Sequence, residues 1–136
     1  MPAESHDIVS RADIERLVDT FYASVRADGL LGPIFDDVAH TDWDTHLPKM
    51  YDFWAAVLFG SPGFQGDPLG VHRALGRKTP LGAAEFGRWL QLFHATLDSL
   101  FDGPVADHAK VRAVRIAGVM QSHVSQDREA ALQTTP

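Results

Sequence analysis

The stretch FGRWLQLFHATLDSLF, residues 86–101, decides the fold class of this chain of 136 residues. Its large apolar side chains return every three or four residues, the spacing that places them on one face of an α-helix. That face consists of Phe86, Trp89, Leu90, Phe93, Leu97, Leu100 and Phe101. The sequence therefore predicts a long helix that stops at Gly103-Pro104 and forms one wall of a flat apolar slot.

The same periodicity predicts a helix near the N-terminus. It begins after Ser10, a residue type that caps helix N-termini, and it stops near Gly29. Its apolar face consists of Ile14, Leu17, Val18, Phe21, Tyr22 and Val25. A tight apolar bend around Gly32-Pro33 is expected to follow it.

Two further helices complete the pattern. One is expected to begin near Asp44 or Thr45 and to end at Gly60, so that Pro48 falls in its first turn, where a missing N–H is no loss. The other is expected over about residues 105–124. The buried stripe of this last helix consists of Ala109, Ala113, Ile116 and Met120. No segment alternates with period two for long enough to form a strand, so the sequence predicts an all-α fold.

Length and composition limit the class of protein. The chain is expected to be one domain, 1–136, with residues 1–9 as an N-terminal extension and 125–136 as a frayed tail. A net charge of −6 with scattered positive charges argues against nucleic-acid and anionic-membrane partners. No apolar run approaches the roughly 20 residues that span a bilayer. The N-terminus lacks the basic and apolar regions of a secretory signal, and a cytoplasmic protein is expected.

His72 lies between aliphatic residues in GDPLGVHRALG, residues 66–76. A histidine on an apolar face is more often a packed core residue than a ligand. Two features favour a ligand here. Gly70 and Gly76 predict a short helical turn that is held by loops, and the aromatic-rich helix follows it along the chain.

Tyr22, His46 and Trp89 each lie on the apolar stripe of a different predicted helix, and each carries a polar atom. Taken singly, each is an ordinary core residue. Buried Tyr and Trp side chains usually find a partner for their polar atom. Together the three residues offer a hydroxyl, an imidazole N–H and an indole N–H that could converge on a small ligand.

Other kinds of site have weaker support. Metal-binding residue types gather between the first two helices, namely His40, His46, Asp36, Asp37, Asp42 and Asp44. They form neither H-E-x-x-H nor the repeated Glu-x-x-His pair of a di-iron bundle, so a solvated loop is the better interpretation. Four histidines are interpreted as surface or packing residues: His6, His94, His108 and His123. The chain has no cysteine, no G-x-S-x-G motif and no phosphate-binding glycine loop.

Four blocks, in this order and spacing, resemble the group III truncated haemoglobins. They are FYASVRADGLLGPIF, HLPKMYDFW, GVHRAL and FGRWLQLF, at residues 21–35, 46–54, 70–75 and 86–93. The resemblance extends over about residues 10–124. It implies a two-over-two helical sandwich around haem b, and the absence of cysteine predicts that the haem is held without a covalent bond.

The resemblance also implies roles for individual residues. His72 matches the proximal iron ligand, and Tyr22, His46 and Trp89 match the distal residues that face a bound ligand. The rest of the expected haem pocket consists of Phe21, Phe35, Lys49, Met50, Phe53, Arg73, Leu75, Phe86 and Phe93.

Two details of this expected pocket concern charge and mobility. Lys49 lies where the family often places a partner of a haem propionate, and Arg73 and Arg77 are further candidates for that role. Pro48 follows His46 by two residues and is expected to influence how freely that side chain swings.

The resemblance implies a haem protein that binds O2, NO, CO and other small ligands in a polar distal pocket. Several hydrogen-bond donors slow the release of O2, which suits ligand activation better than delivery. One hypothesis is a redox enzyme for NO dioxygenation or for peroxide or peroxynitrite turnover, supplied by an external reductase. The alternative is an O2 sensor or scavenger without turnover. A helical interaction module without cofactor is a third interpretation.

Overall fold

The computed structural model describes residues 5–62, 64 and 66–133, and over these residues the chain is helical with one isolated bridge. It forms five α-helices: α1 (Arg11–Ala27), α2 (Trp43–Phe59), α3 (Pro68–Lys78), α4 (Ala83–Leu100) and α5 (Pro104–Gln133). A single π-helical turn, Ile34–Val38, lies in the bend between α1 and α2. The predicted all-α fold is confirmed. Among the described helices, none has both the length and the apolarity that crossing a membrane requires.

The helices are arranged as two pairs. α1 packs against α2 and α4 packs against α5, and the pairs meet where α1 contacts α4 and α2 contacts α5. The short helix α3 packs against α5. This is the two-over-two arrangement that the resemblance implied.

The boundaries of α1 follow from its sequence. The Ser10 hydroxyl accepts a hydrogen bond from the backbone N–H of Asp13 at 3.2 Å, as a helix N-cap does. The helix ends at Ala27, and the predicted stop at Gly29 lies just beyond it.

The start of α2 differs from the expectation. The helix begins at Trp43, one residue before the predicted range, so Pro48 is its sixth residue and not part of its first turn. The ring of Pro48 has no N–H to donate to the carbonyl of Asp44. Both residues are exposed, so water can satisfy that carbonyl. Gly60 ends the helix as predicted, in the left-handed region with φ of 66°.

α3 is longer than predicted. It runs for three turns, Pro68–Lys78, and both of its glycines lie inside it, so the expectation of a short turn held by loops is wrong. The Asp67 carboxylate caps it by accepting from the N–H of Gly70 at 3.0 Å. Packing explains the rest: a Cβ on Gly76 would lie 2.7 Å from Val124, so glycine allows α3 to approach α5 closely.

α5 also extends further than predicted. Residues 125–133 continue the helix instead of fraying, while 134–136 lie outside the described residues. The segment lacks a strong apolar stripe, which is why the sequence indicated an unstructured tail. At the other end of the chain, Ile8 is fully buried, so the described part of the expected N-terminal extension joins the core.

Aromatic side chains fill the centre of the core. The Phe93 ring is fully buried and stacks on Trp54, with ring centroids 4.7 Å apart. Its opposite neighbour, Trp89, is nearly parallel to it at 5.4 Å. Phe21 meets the Phe93 ring edge-on at 5.1 Å. These contacts join the two helix pairs and place α4 at the centre of the fold.

Asp7 ties the N-terminal segment to the start of α5. Its carboxylate accepts hydrogen bonds from the backbone N–H groups of Val105 and Ala106, each at 2.9 Å, and from that of Ile8 at 2.9 Å. Gly103 is required at this position, since it has φ of 149° and a Cβ there would lie 2.4 Å from the Asp7 carboxyl carbon. Burial raises the pKa of Asp7, but the three backbone hydrogen bonds lower it more, to a value below 3.8.

We expect Asp7→Ala to lower the free energy of unfolding by about 1–2 kcal/mol, because it removes the acceptor that caps α5. The lowered pKa means that the stabilisation is fully present above about pH 4 and is lost as the pH falls through the folded-state pKa. Urea denaturation at pH 7 and pH 3 measures both effects. Asp102→Ala, at an exposed carboxylate nearby, is the control. Equal losses in the two variants at pH 7 would contradict the capping role.

Candidate functional site

An apolar cavity of about 450 Å³ opens between the helix pairs, within the size range of cofactor and ligand sites. All five α-helices contribute to its lining. Ten of the residues expected in a pocket line it: Tyr22, Phe35, His46, Lys49, Met50, Phe53, His72, Leu75, Phe86 and Trp89. The structure thus brings together side chains that are up to 67 positions apart in sequence, from Tyr22 to Trp89.

His72 reaches the cavity from α3 with its ring orientation held by its own helix. Its Nδ1 lies 2.6 Å from the carbonyl oxygen of Pro68, one turn earlier. A carbonyl can only accept, so Nδ1 carries the proton and the neutral ring keeps the lone pair of Nε2. Burial lowers the pKa of His72, while the bond to Pro68 raises it by less. The neutral imidazole is the form that binds metals.

Tyr22 and His46, which also line the cavity, meet each other. Their ring centroids are 5.1 Å apart in an edge-to-face arrangement. Burial raises the pKa of the Tyr22 hydroxyl well above its ordinary value of 10, so the group stays protonated and able to donate. Burial, followed by the nearby His72 and Lys49, lowers the pKa of His46 to about 4.

The Nε2 nitrogen of His46 is buried and has no hydrogen-bond partner among the described residues. A buried polar nitrogen without a partner is costly, and in native proteins it is explained by a ligand, an ion or water. The Nε2 of His94 and the Nε of Arg112 are also buried without a partner among the described residues, but only His46 of the three lines the cavity, where a ligand or water can reach it.

Trp89 presents its indole to the cavity, and two expected pocket residues support it from behind. Phe21 meets it edge-on at 5.5 Å, and Phe93 stacks on it at 5.4 Å. Neither Phe21 nor Phe93 belongs to the cavity lining. Their role in the structure is to hold the ring of Trp89 in place.

The two charged residues expected in the haem pocket, Lys49 and Arg73, lie in different places. Lys49 lies at the cavity and is exposed. Arg73 is not part of the lining, and its guanidinium binds the Asp127 carboxylate of α5 through two hydrogen bonds. Ion pairs of this kind depend on tertiary packing, which local sequence does not reveal.

Sequence reasoning missed Trp43. Its ring centroid lies 5.5 Å from those of both Tyr22 and His46, and it stacks on Phe35. The indole N–H donates to Asp36 at 3.0 Å. The sequence signal for Trp43 was its position between two aspartates in DWD. The predicted helix, however, began one residue too late to include it. Trp43 is not part of the cavity lining, but several lining residues were also not singled out as site residues, among them Leu31, Ile34, Trp54, Leu81, Ala117 and Met120.

The residues fit haem better than a metal ion held by several side chains. In the described parts of the chain, no three His, Asp or Glu side chains gather as a metal site. The hypothesis built on His40, His46 and the neighbouring aspartates is therefore unsupported. What the cavity offers is apolar walls, one neutral imidazole oriented by Pro68, and the further polar side chains of Tyr22, His46 and Trp89.

A comparison with protein families identifies the class of protein. The model of the family described as bacterial-like globin matches residues 6–125. This range contains α1 to α4 and most of α5. A two-layer helical domain around an apolar cavity, matched over this range, is a globin.

Two relatives narrow the identification. The protein named Group 3 truncated hemoglobin ctb, from Campylobacter jejuni, is 32% identical over 119 residues, which are 85% of this chain and 91% of the relative. The crystal structure of a group III truncated haemoglobin from the same species aligns with a TM-score of 0.78 at 30% identity, and it covers 89% of this chain and 95% of that one. The chain belongs to the group III truncated haemoglobins. It is thus a globin, a family whose members bind haem and small diatomic ligands.

The lowered pKa of His46 predicts how His46→Leu changes the free energy of unfolding. Because the folded state holds the His46 ring neutral down to about pH 4 while the unfolded state protonates near pH 6.5, the wild type loses stability as the pH falls below 6.5. When the pH is lowered from about 7.5 to about 5, we expect the free energy of unfolding of His46→Leu to rise by roughly 1 kcal/mol relative to that of the wild type. The value is modest because this position is partly exposed. Urea denaturation at both pH values measures the difference. His108→Leu, at an exposed histidine, is the control, and an equal gain there would contradict the prediction.

Proposed function

We propose that the cavity binds haem b without a covalent bond and that His72 is the protein ligand of its iron. The observation that carries this proposal is the hydrogen bond from His72 Nδ1 to Pro68. A metal-binding histidine commonly donates its other ring N–H to a carbonyl or carboxylate, which fixes the ring and raises its basicity. The chain also lacks cysteine, so it has no thiol to bind haem covalently.

The side chains of Tyr22, Trp89 and His46 are proposed to hold the small ligand. When bound, haem supplies an open coordination position for O2, NO or CO and the redox chemistry of iron. The Tyr22 hydroxyl is protonated and can donate. The Nε1–H of Trp89 can only donate, and His46 brings a buried nitrogen without a partner.

Such donors favour retention of a ligand that carries partial negative charge. Each hydrogen bond to a charged group contributes roughly 1.5–3 kcal/mol, or about 10- to 150-fold in the dissociation rate. We therefore favour ligand activation, as in NO dioxygenation or peroxide or peroxynitrite turnover, over O2 delivery. This role requires electrons from a separate reductase, since the chain has no flavin or nicotinamide motif.

His72→Ala is expected to abolish stoichiometric haem binding, because it removes the bond between protein and iron. The Soret absorbance of the purified variant, relative to protein, measures the loss, and added imidazole should restore part of it. His108→Ala is a matched control at an exposed histidine. Full haem content with an unchanged coordination spectrum in His72→Ala would show that another residue binds the iron.

Trp89→Phe and Tyr22→Phe are each expected to raise the O2 dissociation rate by about 10-fold or more at unchanged haem content, since each deletes one donor and keeps most of the packing. The double variant should be non-additive, because both donors serve one ligand. Stopped-flow displacement of O2 by CO measures the rates. Tyr51→Phe is the control, because it removes a hydroxyl that bonds Asp19 on the outside of the fold.

Wild-type dissociation rates in both single variants would contradict the role of these donors. The redox-enzyme function would then lose its support, and the O2 sensor or scavenger would become the better hypothesis.

A further inference from the structure

The helix that carries His72 has one main helical neighbour. α3 is an 11-residue helix, it contains two glycines, and loops adjoin it on both sides. Glycine inside a helix is destabilising by roughly 0.5–1 kcal/mol relative to alanine. The position of α3 therefore depends on its packing against α5.

Two contacts between α3 and α5 lie one helical turn apart. Gly76 meets Val124, where a Cβ would be 2.7 Å from the valine methyl carbon. Arg73 binds Asp127 through Nε at 2.8 Å and through Nη2 at 2.7 Å. The spacing of three residues on each helix puts both contacts on the same side. The first contact sets the separation of the helices, and the second opposes their sliding and rotation.

The ion pair has the geometry that restricts orientation. A planar guanidinium that makes two parallel bonds to one carboxylate fixes angle as well as distance. The side chains of Arg73 and Asp127 are 38% and 21% exposed, so water screens the pair only in part. Arg73 directly follows His72, so the position that this pair gives to the backbone is passed to the imidazole.

Asp127 also lies just beyond the residues that the family model matches. The bacterial-like globin model ends at residue 125, whereas α5 continues to Gln133. The extension thus supplies a contact to the helix of the proposed iron ligand.

We infer that Asp127 is a positioning residue for His72: through Arg73 it holds α3 so that the imidazole approaches haem in one orientation. This inference rests on the proposed role of His72 as the iron ligand. It assigns to the extension of α5 a function in setting the bond between protein and iron.

The test compares Asp127→Asn with Asp52→Asn in the haem-loaded protein. Asp52 is a matched control, because it forms another Arg–Asp pair, with Arg11 at 2.8 Å, between α1 and α2. The measurements are the iron–histidine stretching band of the ferrous protein by resonance Raman and the rate of haem transfer to excess apo-globin. We expect Asp127→Asn to shift or broaden the band and to speed haem transfer by about fivefold, the upper range for such a pair. Asp52→Asn should leave both unchanged.

A reversed pair adds a rescue. The double variant Arg73→Asp with Asp127→Arg restores the attraction with the charges exchanged, and it should return the band and the transfer rate toward wild type. An unchanged band in Asp127→Asn would overturn the inference. So would equal changes in Asp127→Asn and Asp52→Asn, which would indicate a general loss of stability. Loss of haem in His72→Ala together with a wild-type band in Asp127→Asn would reject this inference alone, whereas retention of haem in His72→Ala would reject the proposed function.

Discussion

The structure depends on keeping an apolar cavity of about 450 Å³ open inside a small domain. The side chains that line an unfilled apolar space lack packing partners on that side, so the space is unfavourable until a ligand occupies it. The walls must therefore resist collapse until the cavity is filled. The stack of Trp54, Phe93 and Trp89 provides that stiffness, because flat rings backed edge-on by Phe21 have little freedom to move.

Two histidines line the cavity, and the structure treats their rings differently. His72 and His46 are both kept neutral, chiefly by burial. The ring of His72 has its Nδ1 proton committed to Pro68, which leaves one nitrogen available on a fixed ring. His46 keeps a buried nitrogen without a partner among the described residues, and its ring meets those of Tyr22 and Trp43 edge-on. In the proposed function, the first imidazole would bind the haem iron and the second would contact the small ligand.

Sequence predicted the parts of the fold that local chemistry determines. The periodicity of residues 86–101 and the cap at Ser10 were sufficient for α4 and α1, and the four polar residues singled out do line one cavity. The predicted lengths of α3 and α5 were wrong. The glycines of α3 and the polar end of α5 were interpreted as helix breaks, whereas packing between helices keeps both segments helical. The sequence also placed Arg73 in the pocket. Its actual partner, Asp127, lies 54 positions away, and local sequence does not reveal such a pair.

The hydrogen bonds from Val105 and Ala106 to Asp7 have a further consequence, for the order of folding. They close loops of 98 and 99 residues, so the entropy of bringing these segments together must be overcome before either bond forms. We expect these bonds to form after α1 and α4 have met, since they join the far ends of the described core. Interactions that are absent from the folding transition state slow unfolding without speeding folding. On that expectation, the N-terminal segment would slow the unfolding of the globin and leave its folding rate nearly unchanged.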